Sequence, residues 1–337
     1  MDTTTLILIT GTALVSFFLS ALLGKVLIPV LHRLKFGQTI RDIGPAWHKN
    51  KQGTPTMGGF LFIGASCVTL TAAVVVSQLF LPVKVFSYAW GSAVMTKMVA
   101  GILLALCSGG IGFLDDYIKV VKKRNLGLTS FQKLFAQLLV AAGYAVSVYM
   151  AGGTVVDVPF LGSVDFGVWF LPFAVFVVVA ALNAVNLTDG IDGLCGSVSL
   201  IVCLFFLTVS GSYIGQGLTA AALAGAIAGF LLWNIHPAKV FMGDTGSLFL
   251  GGALAALAFG INQPLLLVPV GIVYIAETLS VILQVLYFKL THGKRLFKMS
   301  PLHHHFEMSG WSENKIVIVF SAVTLAGCGV AALLMFL

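Results

Sequence analysis

Apolar runs of roughly twenty residues recur along the whole of this 337-residue chain, and no other feature limits its fold so strongly. A run of about 20 apolar residues spans the hydrocarbon core of a bilayer as an α-helix. Only 9% of the residues are charged and 58% are hydrophobic, whereas a soluble domain is about a quarter charged. Too few polar side chains exist to face water on every side. The alternation over about 10 residues that marks a membrane β-barrel is absent. The expected fold is all-α: a polytopic membrane protein forming a single domain over residues 1–337, with no linker or low-complexity tract to divide it.

Ten spans are expected, at about 6–31, 58–82, 94–114, 132–151, 168–187, 194–212, 216–234, 247–263, 265–288 and 315–337. Pro264 and Pro269 should bend or interrupt the start of the ninth. The outward segment 152–167 is short enough for a small hairpin. The first run follows Asp2 and precedes the first lysine, Lys25, which is the reverse of a secretory signal, so it reads as a span whose N-terminus lies outside. The five cysteines fall singly within apolar runs and form no CxxC or metal-type spacing, so they read as small buried residues.

Charge is distributed unevenly between the two sides that ten spans define. One side receives Arg33, Lys35, Arg41, Lys49 and Lys51, then Lys119, Lys122, Lys123, Arg124 and Lys133, then Lys239, Lys289, Lys294, Arg295, Lys298 and Lys315. The other receives Lys84 and Lys97. The positive-inside rule places the basic side in the cytoplasm and both termini outside.

The same side collects the polar motifs. Asp115-Asp116-Tyr117-Ile118-Lys119 ends the third span; Asp115 and Lys119 are four apart and can pair on a helix, and a salt bridge closing a helix is the plain alternative. Asn183, Asn186, Asp189 and Asp192 follow one another at intervals of three at the end of the fifth span. On a continuous helix they form one stripe of oxygen-bearing side chains, suited to a hard cation or a sugar nucleotide, although a polar turn would use similar residues. Phe241-Met242-Gly243-Asp244-Thr245-Gly246-Ser247 opens the eighth span, whose N-terminus is a ready anion site. An acid beside such a site points to a bridging Mg²⁺; self-capping by Asp244, Thr245 or Ser247 competes with that reading. Lys51-Gln52-Gly53-Thr54-Pro55-Thr56-Met57-Gly58-Gly59 opens the second span without the spacing of a Walker loop. Three consecutive histidines, His303, His304 and His305, do not share a helix face, which disfavours one zinc and favours hydrogen bonds to phosphate or a sugar–peptide.

Together these segments resemble the phospho-N-acetylmuramoyl-pentapeptide transferase family, within the polyprenyl-phosphate N-acetylhexosamine-1-phosphate transferase superfamily. The resemblance runs in order through KQGTPTMGG, DDYIK, NAVNLTDGIDGL, FMGDTGS and MSPLHHHFEMSGW, over nearly the whole chain. It implies ten transmembrane helices, a homodimer and a catalytic cleft on the cytoplasmic face of the bacterial inner membrane. It implies transfer of phospho-MurNAc-pentapeptide from UDP-MurNAc-pentapeptide to undecaprenyl phosphate, giving lipid I and UMP in peptidoglycan biosynthesis. By the same resemblance Asp244 binds Mg²⁺, and Asp115, Asp116, Asp244, Lys119 and His303 form the catalytic group. Asp192, Asn234 and Phe241 help to form the nucleoside pocket, with Phe241 stacking on uracil. Lys51, Thr56, Lys119, Lys133, Asn186, Asp189, Gln284, His303 and His304 line the rest of the site; Asn183 and His305 join them on the spacing arguments above. No nucleic-acid partner is expected.

Rival classes leave sequence marks that can be sought. A transporter predicts polar residues at mid-bilayer and an internal repeat; the acids gather at span ends instead, with Glu277 and Gln284 the contrary hints. A membrane metalloprotease predicts HExxH or similar, which is missing. Within the superfamily, a UDP-GlcNAc:undecaprenyl-phosphate GlcNAc-1-phosphate transferase is the nearest rival.

Overall fold

The computed structural model describes residues 2–33, 51, 53–82, 85, 92–121, 127–211 and 213–335. Lys35, Arg41, Lys49, Lys84, Lys122, Lys123 and Arg124 lie outside the described residues, so the charge asymmetry is only partly visible in it. The helices are α1 (Thr3–Arg33), α2 (Gly59–Phe80), α3 (Ala93–Val121), α4 (Ser130–Met150), α5 (Phe170–Thr188), α6 (Leu194–Val209), α7 (Ile214–Asn234), α8 (Gly243–Gly260), α9 (Leu267–Val270), α10 (Ile272–Leu290), α11 (Leu302–Glu307) and α12 (Glu313–Leu334).

The chain is an all-α polytopic membrane protein. Eight of the helices (α1–α5, α7, α10 and α12) are long and apolar enough to cross a bilayer. Two further expected spans fall on α6, which is shorter, and α8, whose first turn carries Asp244. The ninth span is broken where its prolines fall. A 3₁₀ turn opens at Pro264, α9 stops at Val270, and the helix resumes beyond Gly271 as α10. The hairpin at 152–167 is present: β1 (Val155–Val158) pairs antiparallel with β2 (Gly162–Asp165), Val155 opposite Asp165. It is tied to the α8–α9 connection by the Asp157 N–H donating to the Asn262 carbonyl. Lys97, at the end of α3 remote from Asp115, is buried there and donates to the Asn262 side chain.

Two helices form the axis of the molecule. Every residue of α8 from Thr245 to Gly260 is buried, and α7 is the most enclosed of the eight long helices. The others surround them and turn large apolar side chains outward, among them Phe18, Leu79, Phe80, Phe131, Phe176 and Leu286. Such an outer surface fits hydrocarbon rather than water. Without a hydrophobic drive between helices in lipid, close backbone contact through small residues holds them together. Gly225 of α7 lies against the Ala13 carbonyl of α1, and Gly112 of α3 against the Asp244 carbonyl of α8.

The Gly112 contact sets the α3–α8 distance beside the acidic residues. A Cβ at 112 would overlap the Asp244 carbonyl, which is backbone and cannot swing away. Gly112→Ala is expected to cost about 1–3 kcal/mol through overpacking and to displace Asp244 from its neighbours. Thermal unfolding in detergent should show the lowered midpoint, and the activity of the folded fraction should fall with it.

Candidate functional site

Helix ends converge on one face: the C-terminal ends of α3, α5 and α7 meet the N-terminal ends of α2, α4, α6, α8 and α12. The last turns of α3 place Asp115 and Lys119 on the same side, and the two pair at 2.5 Å as their spacing predicts. The other oxygen of Asp115 accepts the Leu128 N–H at 2.8 Å. Asp116 points instead across to α8. Its carboxylate accepts the N–H groups of Asp244 at 3.2 Å and Thr245 at 2.9 Å, and the Thr245 hydroxyl at 2.8 Å.

That contact corrects two expectations. The start of α8 is capped not by its own Asp244, Thr245 or Ser247 but by a carboxylate from α3. Nor is it a fully open anion site, because a carboxylate already takes two of its free N–H groups, those of Asp244 and Thr245. Gly243 adopts φ 73°, and any side chain there would strike Asp116 and Thr56. The glycine therefore serves the close approach of three segments.

Asp244 is the hub. One of its oxygens accepts Lys119 Nζ at 2.9 Å and Lys133 Nζ at 3.0 Å; the other accepts Asn186 Nδ2 at 2.8 Å. Asn186 also donates to Ser247 and accepts from Lys133. Asp115, Asp116 and Asp244 each offer an oxygen within 4.8 Å of the others. Three carboxylates outnumber two ammonium groups, and all donors are oxygen. Such a set fits a hard divalent cation like Mg²⁺.

The expected stripe of Asn183, Asn186, Asp189 and Asp192 is not continuous, because α5 ends at Thr188. Asn183 turns to Gln137 and the Val179 carbonyl, while Asn186 reaches Asp244. Asp189 caps the helix end, where desolvation first, then Asp244, Asp116 and Asp192, push its carboxyl up to about 8. Asp192 belongs to the following turn, which enters α6 through left-handed Gly193 at φ 77°.

A second polar node joins four segments. Lys51 Nζ lies 2.8 Å from Asp192 and 2.6 Å from Glu313 at the start of α12. The Glu313 carboxylate also accepts the Asp192 N–H, and Asp192 accepts the Ala238 N–H and faces His236 Nδ1 at 3.0 Å. Although Asp192, His236 and Glu313 could group around a metal, Lys51 already provides the positive charge between the two acids. Asn234 braces the same region by accepting the Gly193 N–H and donating to the Val240 carbonyl. The Phe241 N–H donates to the Pro55 carbonyl and its own carbonyl accepts the Gly58 N–H, which stitches the KQGTPTMGG segment, with buried Thr56, to the entry of α8. Phe241 keeps a half-exposed ring at this seam.

The histidines diverge on α11. His303 is buried against Glu277, His304 pairs with Glu307 at 2.6 Å, and His305 accepts the Lys298 N–H. The Gln284 amide is spent on backbone, accepting from Leu296 and Phe297 and donating to the Phe297 carbonyl. It braces the α10–α11 loop. Glu313, His236 and Gln137 are site neighbours that sequence reasoning missed. Glu313 looks like an ordinary acid in a capped first turn, His236 lies between Asn234 and Lys239 without a motif of its own, and Gln137 opens an apolar run.

A hub of carboxylates and lysines at converging helix ends suits the handling of a phosphorylated substrate, and the family models agree on the class. Glycosyl transferase family 4 matches residues 98–262, and the phospho-N-acetylmuramoyl-pentapeptide-transferase signature 1 matches residues 51–63. The protein is a phospho-sugar transferase. A phospho-N-acetylmuramoyl-pentapeptide-transferase of Clostridium perfringens (strain 13 / Type A) is 47% identical over 320 residues, which cover 94% of this chain and 95% of the relative. Those of Acetivibrio thermocellus (47% over 323 residues, 94% and 92%) and Carboxydothermus hydrogenoformans (48% over 324 residues, 93% and 94%) are similarly close. The chain belongs to the phospho-N-acetylmuramoyl-pentapeptide-transferase family.

Proposed function

We propose that this protein transfers phospho-MurNAc-pentapeptide from UDP-MurNAc-pentapeptide to undecaprenyl phosphate, releasing UMP and forming lipid I for peptidoglycan synthesis. The whole chain acts as one transmembrane domain of ten spans in the bacterial inner membrane, with the hub facing the cytoplasm, and it works as a homodimer. The observation that carries this reading is the meeting of Asp115, Asp116 and Asp244 with Lys119 and Lys133 at the ends of three separate helices.

Phosphoryl transfer is governed by positioning and charge stabilisation. Held by Asp244 with Asp115 and Asp116, a bound Mg²⁺ would supply Lewis acidity and charge neutralisation at the diphosphate. Lys119 and Lys133 neutralise the acceptor phosphate and the charge that develops on transfer. The Phe241 ring stacks on uracil, with Asp192 and Asn234 around the nucleoside. Lys51, Thr56, Asn183, Asn186, Asp189, Gln284, His303, His304 and His305 complete the substrate surroundings by contact or by bracing.

Direct attack by the lipid phosphate is favoured over a phosphoryl-aspartate intermediate. A phosphate monoester with a second pKa of about 6 is already largely anionic near neutral pH, so it needs little activation. Asp116 spends its oxygens on three donors of α8, and both oxygens of Asp115 are engaged. Asp115 then aligns the acceptor or removes a residual proton. Trapping a phosphorylated aspartate that forms and decays as fast as turnover would reverse this preference.

The deciding assay compares UMP release, with undecaprenyl phosphate and Mg²⁺, from UDP-MurNAc-pentapeptide and from UDP-GlcNAc. Release from the first alone is expected. Release from UDP-GlcNAc alone would move the chain to the neighbouring branch of the superfamily, and release from neither would end the assignment.

A further inference from the structure

Glu277 lies in the second turn of α10, deep in an apolar helix, and is fully buried. A carboxylate in such a place is expensive unless it is matched, and its partner marks its use. The partner is His303, also fully buried: Glu277 Oε1 lies 3.1 Å from His303 Nδ1 and 3.2 Å from the His303 backbone N–H. A carboxylate can only accept, so Nδ1 carries the proton of that contact, and in the neutral ring Nε2 is left with its lone pair.

His303 Nε2 is buried and has no hydrogen-bond partner among the described residues. Buried polar atoms rarely go unpaired, and those that do call for a reason. The surroundings of this one supply it. Nε2 points at the turn that joins α5 to α6, against Gly190, where a Cβ would overlap the ring nitrogen. Gly190 is itself exposed. The nitrogen therefore lies one residue beneath the face that carries Asp189 and Asp192, and only the absence of a side chain at 190 lets the ring reach it.

We infer that Glu277 is a positioning residue for His303: it holds the ring with Nδ1–H toward α10 so that Nε2 accepts a hydrogen bond from a hydroxyl or amide N–H of the nucleotide sugar bound at the 189–193 turn. The contact forms when the Gly190 backbone moves off the ring, and glycines at 190 and 193 give that turn its freedom. The inference rests on the proposed nucleotide-sugar substrate, and it deepens that reading by assigning Glu277 and Gly190, which the sequence motifs leave without a role.

The test uses the full chain in detergent with UDP-MurNAc-pentapeptide and undecaprenyl phosphate. Glu277→Gln is expected to lower kcat/KM by about 10–100-fold, taking as a guide the loss on removing the outer partner of a metal-ligating histidine. His303→Ala should lose at least as much, and the double variant no more than His303→Ala alone. A Glu277 that only braces the fold would act in both backgrounds, so losses that multiply overturn the inference, as does a fully active Glu277→Gln enzyme. Should Glu277→Gln fail to fold, Gly190→Ala replaces it. Its methyl displaces Nε2, and its loss should likewise vanish in the His303→Ala background; full activity of Gly190→Ala overturns the inference. Ring ¹⁵N NMR of histidine-labelled protein needs no substrate. The His303 Nε2 signal, identified by its loss in His303→Ala, should be that of a lone-pair nitrogen, and a protonated Nε2 with bare Nδ1 overturns the inference. If the parent enzyme releases no UMP while the ring has the expected tautomer, the proposed substrate falls and the dyad's geometry stands.

Discussion

Asp244→Asn is expected to reduce UMP release by about three orders of magnitude or more, equal to about 4 kcal/mol of lost transition-state stabilisation, with the protein still folded. The substitution keeps the shape of the side chain and reverses its chemistry at the critical point. The oxygen shared by Lys119 and Lys133 is replaced by an NH₂ group or left as a weak amide acceptor facing two ammonium groups. The three-carboxylate set is reduced to two, and with it the harder part of the cation site. Stability should change little, because the attachment of α8 to α3 runs through the Asp244 and Thr245 N–H groups, which the substitution leaves in place. A Mg²⁺ titration of UMP release alongside thermal unfolding checks both halves. Near-normal, Mg²⁺-dependent turnover by Asp244→Asn would remove Asp244 from the metal site.

The contrast with Asp116 shows what the sequence could and could not reveal. Features confined to one segment were legible. The Asp115–Lys119 pair follows from helical spacing, the broken ninth span from Pro264 and Pro269, and the hairpin from the short, glycine-flanked connection at 152–167. The gathering of motifs on one face was legible too, since alternating helix direction is a matter of counting spans. Pairings between helices were not. Spacing predicts which residues share a face, but it does not say which helix that face meets, so the contact of Asp116 with the first turn of α8 could not be read from it. The Asn183–Asp192 stripe failed for a different reason. It assumed a continuous helix, whereas the chain leaves α5 after Thr188 and turns through Gly190 and Gly193. Glu313 was invisible because its partners, Lys51 and Asp192, stand 262 and 121 residues away in the chain.

Asp116→Ala should therefore differ from Asp244→Asn in kind. Asp116 is buried and accepts three hydrogen bonds from the first turn of α8. Its removal strands the buried N–H and hydroxyl of Thr245 and the part-buried N–H of Asp244. Losing a helix cap costs about 0.5–2 kcal/mol and each buried donor left unpaired about 1–3 kcal/mol; with partial relaxation, a destabilisation of about 2–4 kcal/mol is expected. Activity should fall as well, because the displaced start of α8 carries Asp244 away from Lys119, Lys133 and Asn186. Asp116→Asn should be intermediate in stability, since its remaining oxygen still accepts one backbone N–H while its NH₂ group meets another donor. Unfolding in detergent, measured beside UMP release from the folded fraction, separates the two aspartates. Asp116→Ala losing activity at the parent's unfolding midpoint would mean that Asp116 acts on the substrate and that the α8 start holds its place without a cap.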